Sequence, residues 1–194
     1  MVSPQSDEDL VTKVIGGEED AFSQIYERYM QRVYATAYRV VQNPAEAQDA
    51  TQEIFFKIYR SLPDWDPRKA SFSTWLYRLS VNHAIDCWRA LRRRRESQPE
   101  EDSGRDPFPE RSLGDAIITP MGALENREGI EQIRECVQDL PDLQKKVFLL
   151  RYFHELKLEE IAALEQCSLG TVKTSLFRAT HAVRRAVRRA GGYR

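Results

Sequence analysis

The chain has 194 residues, of which 41% are hydrophobic and 30% charged, and its formal net charge is −1. This composition excludes a disordered chain and suffices for one ordinary domain or two small ones. The acidic N-terminus has no basic-then-apolar signal sequence, and no apolar stretch approaches the roughly 20 residues of a membrane span. We therefore expect a cytoplasmic protein without membrane insertion.

The charges are distributed unevenly along the chain. Residues 1–95 carry a net charge of +1, residues 96–121 of −5 and residues 122–194 of +3. One basic cluster, Arg89 with Arg92–Arg95, ends the first segment, and the sequence after Glu165 has seven Lys and Arg residues but no Asp or Glu. Two basic regions on either side of an acidic one indicate a polyanionic partner that is contacted twice.

Two helices are predicted in the N-terminal half, on either side of the pair Asn43-Pro44. Apolar residues recur at three- and four-residue steps over 22–41, which is helical spacing, and the proline stops this pattern. In the second predicted helix, 45–62, one side is apolar: Ile54, Phe55, Ile58, Tyr59 and Leu62.

The other side of the 45–62 helix carries Asp49, Gln52, Glu53, Phe56 and Arg60. A phenylalanine among carboxylates on the side away from the core is typical of a protein-binding surface. The alternative is a solvated charged face with one stray phenylalanine.

All three tryptophans, Trp65, Trp75 and Trp88, fall in a turn-rich loop at 61–68 or in a predicted helix from about Ser71 to Arg95. Aromatic rings among basic residues suit single-stranded nucleic acid, because bases stack on the rings while arginines hold phosphates. Core packing is the favoured interpretation for the individual apolar residues of the helix, Trp75, Leu76, Leu79, Ile85 and Trp88. Asn82, Asp86 and the arginines remain available to DNA in either case.

Residues 96–121 combine prolines and glycines with seven acidic side chains, which predicts a flexible acidic linker. After it, Thr119-Pro120 fits a helix start, and apolar spacing from Ile130 to Leu140 predicts a helix that ends at Pro141. The sequence thus predicts an all-α protein with two small helical domains, 1–95 and 122–194, joined by this linker.

The stretch from Glu159 to Arg189 predicts a helix-turn-helix. Ile161, Ala162 and Leu164 line a short helix, Cys167 and Ser168 form the turn, and Val172 and Leu176 anchor the longer second helix, which Ser168 is placed to cap. The outer face carries residues suited to phosphates, base edges and thymine methyl groups: Lys173, Thr174, Phe177 and Arg178. The alternative is an ordinary helical hairpin with a solvated basic face.

The three cysteines, Cys87, Cys136 and Cys167, are widely spaced, and we interpret them as small packed residues, with neither a metal site nor a cofactor expected. The three histidines are scattered, and there is no phosphate-binding glycine loop or paired-acid constellation. We therefore do not expect an enzyme.

Several motifs in consistent order resemble the extracytoplasmic-function (ECF) group of bacterial sigma factors. The similarity lies in residues 46–55, in residues 72–82 with Asp86 and the following arginines, and in residues 160–162 with 168–173. The resemblance implies a dissociable RNA polymerase subunit that contains sigma regions 2 and 4 joined by a flexible linker. It also implies an anti-sigma factor as a partner that inhibits the protein.

The resemblance further implies three binding surfaces. The first docks on the clamp helices of the largest subunit of core polymerase: Asp49, Gln52, Glu53 and Phe56. The second, around the loop 63–70 and the following helix, captures a flipped base of the −10 element and holds the opened strand: Trp65, Lys69, Ser71, Phe72, Trp75, Asn82, Asp86, Arg89, Arg92 and Arg93. The third reads the −35 element in the major groove: Ser168, Gly170, Thr171, Lys173, Thr174, Phe177 and Arg178.

Some positions depart from the pattern of the group. Gln166 stands where glycine is common, Glu165 where an apolar residue is common, and Gln48 where an acidic residue is frequent. Ser175 and Thr180 stand where arginine is frequent, which implies fewer phosphate contacts. The main alternative function is a conventional helix-turn-helix repressor or activator, whose first domain would sense a ligand. The predicted helix 45–62 and the tryptophan-rich segment argue against this alternative.

Overall fold

The computed structural model describes residues 5–97 and 135–189, and all regular structure within these two ranges is helical. Seven α-helices have complete bounds: α1 (Asp7–Ile15), α2 (Glu19–Val41), α3 (Pro44–Ser61), α4 (Phe72–Ser97), α5 (Asp142–Tyr152), α6 (Leu158–Leu164) and α7 (Leu169–Arg189). A short 3-10 helix, Leu62–Asp64, follows α3. The all-α prediction is confirmed.

The chain divides into two compact units, Met1–Glu100 and Glu101–Arg194. The predicted acidic linker, 96–121, lies outside the described residues except for its first two, which extend α4. The predicted helix start at Thr119-Pro120 also lies outside them. Among the described residues, no helix is long and apolar enough to span a membrane.

The first unit is built around α2, which packs against α1, α3 and α4. Its core is formed by the apolar stripes of these helices, among them Leu10, Ile25, Val33, Ile54, Ile58, Leu76 and Ile85, each at most 1% exposed. Burial of such side chains contributes about 1.5–3 kcal/mol apiece, so this core supplies most of the driving force for folding of the unit.

The junction between α2 and α3 is encoded locally. Gln42 adopts a left-handed conformation with φ of 56°, and its N–H donates to the Tyr38 carbonyl, which ends α2. Asn43 then caps α3 by accepting a 3.0 Å hydrogen bond from the Glu46 N–H, and Pro44 occupies the first turn, where its missing N–H costs nothing. This pair therefore stops one helix and starts the next, as its sequence predicts.

One residue of the predicted apolar side of α3 is not buried. Tyr59 is 47% exposed, and its ring forms a T-shaped contact with the Phe22 ring at 4.9 Å between centroids. Its phenol hydroxyl explains this position, because burial without a hydrogen-bond partner is costly for such a group.

The second unit packs α5 and α6 against α7. Its described core contains Leu140, Phe148, Ala179, Val183 and Val187, and α7 contributes three of these five residues at helical spacing. Lys145 is only 1% exposed, and its ammonium group donates to the Gln138 carbonyl. The packed side of α7 leaves the opposite side, which carries most of the basic residues, in solvent.

Candidate polymerase and nucleic-acid interfaces

The side of α3 that faces away from the core presents all four residues expected to dock on polymerase. Asp49, Gln52, Glu53 and Phe56 lie at steps of three and four residues and are all exposed. The Phe56 ring is 63% exposed, with the Arg60 guanidinium 5.6 Å from its centroid. An exposed phenylalanine between a carboxylate and a guanidinium forms an amphipathic patch suited to a protein partner.

An open groove adjoins this patch, and its lining includes two residues that the sequence interpretation did not connect with it, Lys57 and His83. His83 Nε2 lies 2.9 Å from a Glu53 carboxylate oxygen, so α4 contributes to the same surface as α3. The Cys87 thiol, one turn after His83, also lies close to both groups. Burial, followed by the charges of Glu53, Asp86 and Glu46, raises the pKa of Cys87 to about 11.

Thr51 lies beside the docking patch, by which we mean Asp49, Gln52, Glu53 and Phe56. It is only 4% exposed, and its hydroxyl donates a 2.6 Å hydrogen bond to the Ala47 carbonyl. A kinase could not reach this hydroxyl in the folded helix. Thr51 is therefore a packing residue of α3.

The loop between α3 and α4 is closed by its own side chains. The indole N–H of Trp65 donates a 3.1 Å hydrogen bond to the Ala70 carbonyl, across five residues. Asp66 accepts two hydrogen bonds from the Arg68 guanidinium, which lower the pKa of its carboxyl to about 2. The exposed Lys69 lies at the end of this loop.

Phe72 is one of the residues expected to contact the −10 element, but its side chain is only 2% exposed. In this conformation the ring is buried among its neighbours. Its ring packs edge-on against Trp65, at 5.6 Å between centroids, and in a tilted arrangement against Trp75, at 5.7 Å. The buried Phe72 ring therefore packs against both half-buried tryptophans and helps to fix their positions.

Ser71 has a structural task in addition to any contact with DNA. Its hydroxyl oxygen accepts a 3.3 Å hydrogen bond from the Thr74 N–H, the pattern of an N-cap, just before α4 begins. The residue is also exposed.

The remaining candidates on α4 lie along its length. Asn82 is half-buried, and its amide oxygen has no hydrogen-bond partner, whereas Asp86 is exposed and pairs with Arg89 at 3.3 Å. Further along, the Arg92 guanidinium lies 5.5 Å from the Trp88 ring centroid, and Arg93 is exposed. From Trp75 to Arg93 the helix rises by about 27 Å, so these residues line an extended path and not a pocket.

The second unit contains the predicted helix-turn-helix, formed by α6, a four-residue turn and α7. In the turn, Gln166 adopts φ of 51°, in the left-handed region that favours glycine. Ser168 caps α7 as predicted, because its hydroxyl oxygen accepts a 3.0 Å hydrogen bond from the Thr171 N–H. The long second helix thus begins at a defined residue.

The outward side of α7 carries the expected readers of duplex DNA, all of them exposed: Ser168, Gly170, Thr171, Lys173, Thr174, Phe177 and Arg178. Phe177 is 69% exposed and lies 6.1 Å from the His181 ring, between centroids. The Thr174 hydroxyl donates to the Gly170 carbonyl within the helix, which leaves its oxygen as an acceptor and its methyl group as an apolar contact.

Two departures from the family pattern have structural explanations. Ser175 is 7% exposed, so this position lies on the packed side of α7 and its serine is not a lost phosphate contact on the outer face. Glu165 is largely buried, with one carboxylate oxygen 3.6 Å from the Lys146 ammonium and the other without a hydrogen-bond partner. An apolar residue would avoid this desolvation, which accounts for the usual preference there.

Comparison with known proteins links these surfaces to one family. The family model described as sigma-70 region 2 matches residues 25–95, and the model described as sigma-70, region 4, matches residues 130–180. The ECF RNA polymerase sigma factor SigW of Bacillus subtilis is 32% identical over 185 residues, covering 92% of this chain and 95% of that protein. The RNA polymerase sigma-H factor of Pseudomonas aeruginosa is also 32% identical, covering 96% of both chains.

Solved structures show the same fold. CnrH, determined in complex with the cytosolic domain of CnrY, aligns with a TM-score of 0.62 at 19% identity, covering 92% of this chain and 95% of that one. The sigma factor RpoE of Bartonella quintana, determined in complex with the anti-sigma factor NepR, also aligns at 0.62, with 17% identity and coverage of 86% and 96%. With region 2 in the first unit, region 4 in the second and near-complete coverage of its relatives, the chain belongs to the ECF sigma factors, which are transcription initiation factors of bacterial RNA polymerase.

Proposed function

We propose that the chain binds core RNA polymerase through the patch of Asp49, Gln52, Glu53 and Phe56 on α3. The observation that carries this assignment is the exposed Phe56, which lies on the side of α3 opposite the core and is flanked by charged groups. Desolvation of this ring by a partner would contribute about 1.5–3 kcal/mol, an amount typical of an interface anchor.

In the same proposal, the first unit opens the −10 element. A flipped base enters the loop closed by Trp65 and Ala70, and the exposed polar and basic residues of α4 hold the separated strand. The energy for melting comes from this binding, so the chain supplies no catalytic activity of its own and the polymerase performs the chemistry. Phe72 acts indirectly, by fixing the positions of the tryptophan rings.

The second unit anchors the complex upstream. The exposed side of α7 enters the major groove of the −35 element, where Arg178 contacts a base edge and Phe177 contacts apolar groups. The further arginines of α7 supply phosphate contacts, which are independent of sequence.

The similarity to a sigma factor that was solved with an anti-sigma factor supports an inhibitory protein partner for this chain as well. We place the protein in the cytoplasm, where core polymerase and promoter DNA are found. A conventional repressor or activator is not favoured, because regions 2 and 4 are matched together and in order.

Transcription in vitro tests the proposal. The purified chain should form a complex with core polymerase and direct transcripts from specific promoters, whereas core polymerase alone should not. Absence of promoter-dependent transcripts in the presence of core polymerase would contradict the proposed function. Binding of the isolated chain to an operator, together with repression of another holoenzyme, would support the repressor instead.

A further inference from the structure

Three potential metal ligands from two helices meet beside the docking patch. Glu53 lies on α3, and His83 and Cys87 lie one turn apart on α4, a spacing that directs both side chains to the same side of the helix. The Glu53 carboxylate, His83 imidazole and Cys87 sulfur atoms all lie within 4.8 Å of one another. Glu53 Oε2 and His83 Nε2 are already 2.9 Å apart.

We propose that Glu53, His83 and Cys87 form a binding site for Zn²⁺, and that the bound ion removes the Glu53 carboxylate from the polymerase-docking surface. One thiolate, one imidazole and one carboxylate are the ligand types that zinc combines, with water in the fourth position of a tetrahedron. Calcium and magnesium prefer oxygen ligands throughout, so this combination discriminates against them.

The geometry requires only a small adjustment to hold the ion. Zinc ligands lie about 2.0–2.3 Å from the metal, which places the ligand atoms of a tetrahedron about 3.5 Å apart. The separations in the structure, up to 4.8 Å, can close by rotation of the Glu53 and Cys87 side chains. Glu53 is exposed and contacts the His83 ring, whereas His83 and Cys87 are half-buried on α4.

The surroundings favour a cation over a redox function of the thiol. The carboxylates of Glu53, Asp86 and Glu46 lie near Cys87, and the Lys57 ammonium opposes them. A locally negative surrounding of this kind attracts a divalent cation. Cys87 is also the only cysteine in the sequence of the first unit, so it cannot form a disulfide bond within that unit.

A consequence for polymerase binding rests on the proposed function. Glu53 is one of the four residues of the docking patch, and a carboxylate bound to zinc has lost most of its negative charge and its freedom to move. The ion would also connect α3 to α4 at the groove beside Phe56. Metal binding and polymerase binding would therefore oppose each other.

The site itself can be tested without polymerase. The 194-residue chain, without a tag, is titrated with Co²⁺, a spectroscopic substitute for zinc whose bond to a thiolate gives an intense charge-transfer band. We expect this band at stoichiometric cobalt and its displacement by Zn²⁺. It should disappear in Cys87→Ser and weaken strongly in His83→Gln, but persist in the control variants Cys167→Ser and His181→Gln, which alter the same residue types in the second unit.

Absence of the band in the unaltered chain would overturn the proposal, and so would its persistence in Cys87→Ser. Because Cys87→Ser could lose the band by unfolding, far-UV circular dichroism is recorded for every variant. A second measurement is the thermal midpoint, which zinc should raise in the unaltered chain and leave unchanged in a folded Cys87→Ser variant.

The effect on docking is tested by comparing each protein with itself. The dissociation constant for core polymerase is measured with and without Zn²⁺, and we expect at least a tenfold weakening by zinc in the unaltered chain and no change in Cys87→Ser. Equal weakening in both proteins would mean that zinc acts on the polymerase, and this would overturn the docking part of the proposal. Failure to bind polymerase even without metal would instead refute the proposed function, and the cobalt result would stand.

Discussion

Phe55 and Phe56 are neighbours in the sequence and lie in opposite environments. Phe55 is 3% exposed and packs against Tyr26 at 4.6 Å between ring centroids, whereas Phe56 is 63% exposed. Helical geometry alone produces this difference, because consecutive side chains are about 100° apart around the axis. The pair therefore provides a matched test of packing against partner binding.

We predict that Phe56→Ala weakens binding to core polymerase by about 1–3 kcal/mol while leaving the stability of the free chain within about 0.5 kcal/mol. Phe55→Ala should instead destabilise the first unit by about 3–5 kcal/mol. Affinity is measured by titration with core polymerase and stability by urea denaturation. Equal effects of Phe56→Ala on polymerase binding and on binding of duplex −35 DNA would contradict the proposed division of labour.

Arg178 is exposed on the outer side of α7, one turn after Thr174. If its guanidinium reads a guanine edge, Arg178→Ala should weaken −35 binding by about 1–3 kcal/mol and relax the preference at one base pair. Binding is measured for a set of duplexes that differ at single positions. A uniform loss across all of them would identify Arg178 as a phosphate contact.

At the scale of elements, the turn between α6 and α7 combines a good cap with a strained residue. Ser168 supplies the hydrogen bond that starts α7, but Gln166 holds a left-handed conformation that an L side chain resists. Such a conformation costs about 1–2 kcal/mol, and glycine avoids the cost while losing about 0.5–1 kcal/mol in chain entropy.

We therefore predict that Gln166→Gly stabilises the second unit by about 0.5–1 kcal/mol. Ala163→Gly, an exposed position within α6, is the control and should destabilise it by about 1 kcal/mol. Unfolding is followed by far-UV circular dichroism. Tryptophan fluorescence reports the unfolding of the first unit separately, because all three tryptophans lie there. The unfolding transition followed by fluorescence should not change. Destabilisation by Gln166→Gly would mean that the Gln166 side chain stabilises the second unit by more than its left-handed conformation costs.

The elements themselves follow from local signals in the sequence. Asn43-Pro44 and Ser168 mark helix starts, and apolar spacing identifies the packed sides of α2, α3 and α7, because these signals act over only a few residues. The burial of Phe72 and the exposure of Tyr59 could not be predicted in this way, since both depend on neighbours from other helices. The contact between Glu53 and His83 could not be predicted either, because it joins two helices. The only local feature of this cluster in the sequence is the one-turn spacing from His83 to Cys87.

For the whole molecule, the division into two compact units separates the two proposed contacts with the promoter. Trp65 belongs to the first unit and Arg178 to the second. Energetic effects at sites without shared partners usually add, whereas residues in one network do not. The distribution of basic residues at 89–95 and after Glu165 is consistent with a partner that is held at two places.

We predict that Trp65→Ala and Arg178→Ala have additive effects on promoter binding by the assembled holoenzyme. The loss of binding free energy in the double variant should equal the sum of the single losses to within about 0.5 kcal/mol. The measurement is a double-mutant cycle at constant salt concentration, because phosphate contacts make all four affinities salt-dependent. A coupling well above this value would show that the two contacts act as one.

The hydrogen bond from the Trp65 indole to the Ala70 carbonyl has a thermodynamic consequence. It gives the loop its shape before any ligand arrives, with the Asp66–Arg68 pair adding a second constraint. Ordering a free backbone costs about 1–2 kcal/mol per residue. In the proposed function, part of this entropy is lost when the protein folds. Less of the free energy gained from capturing a base is then needed to order the loop, and more of it opposes the re-pairing of the promoter strands.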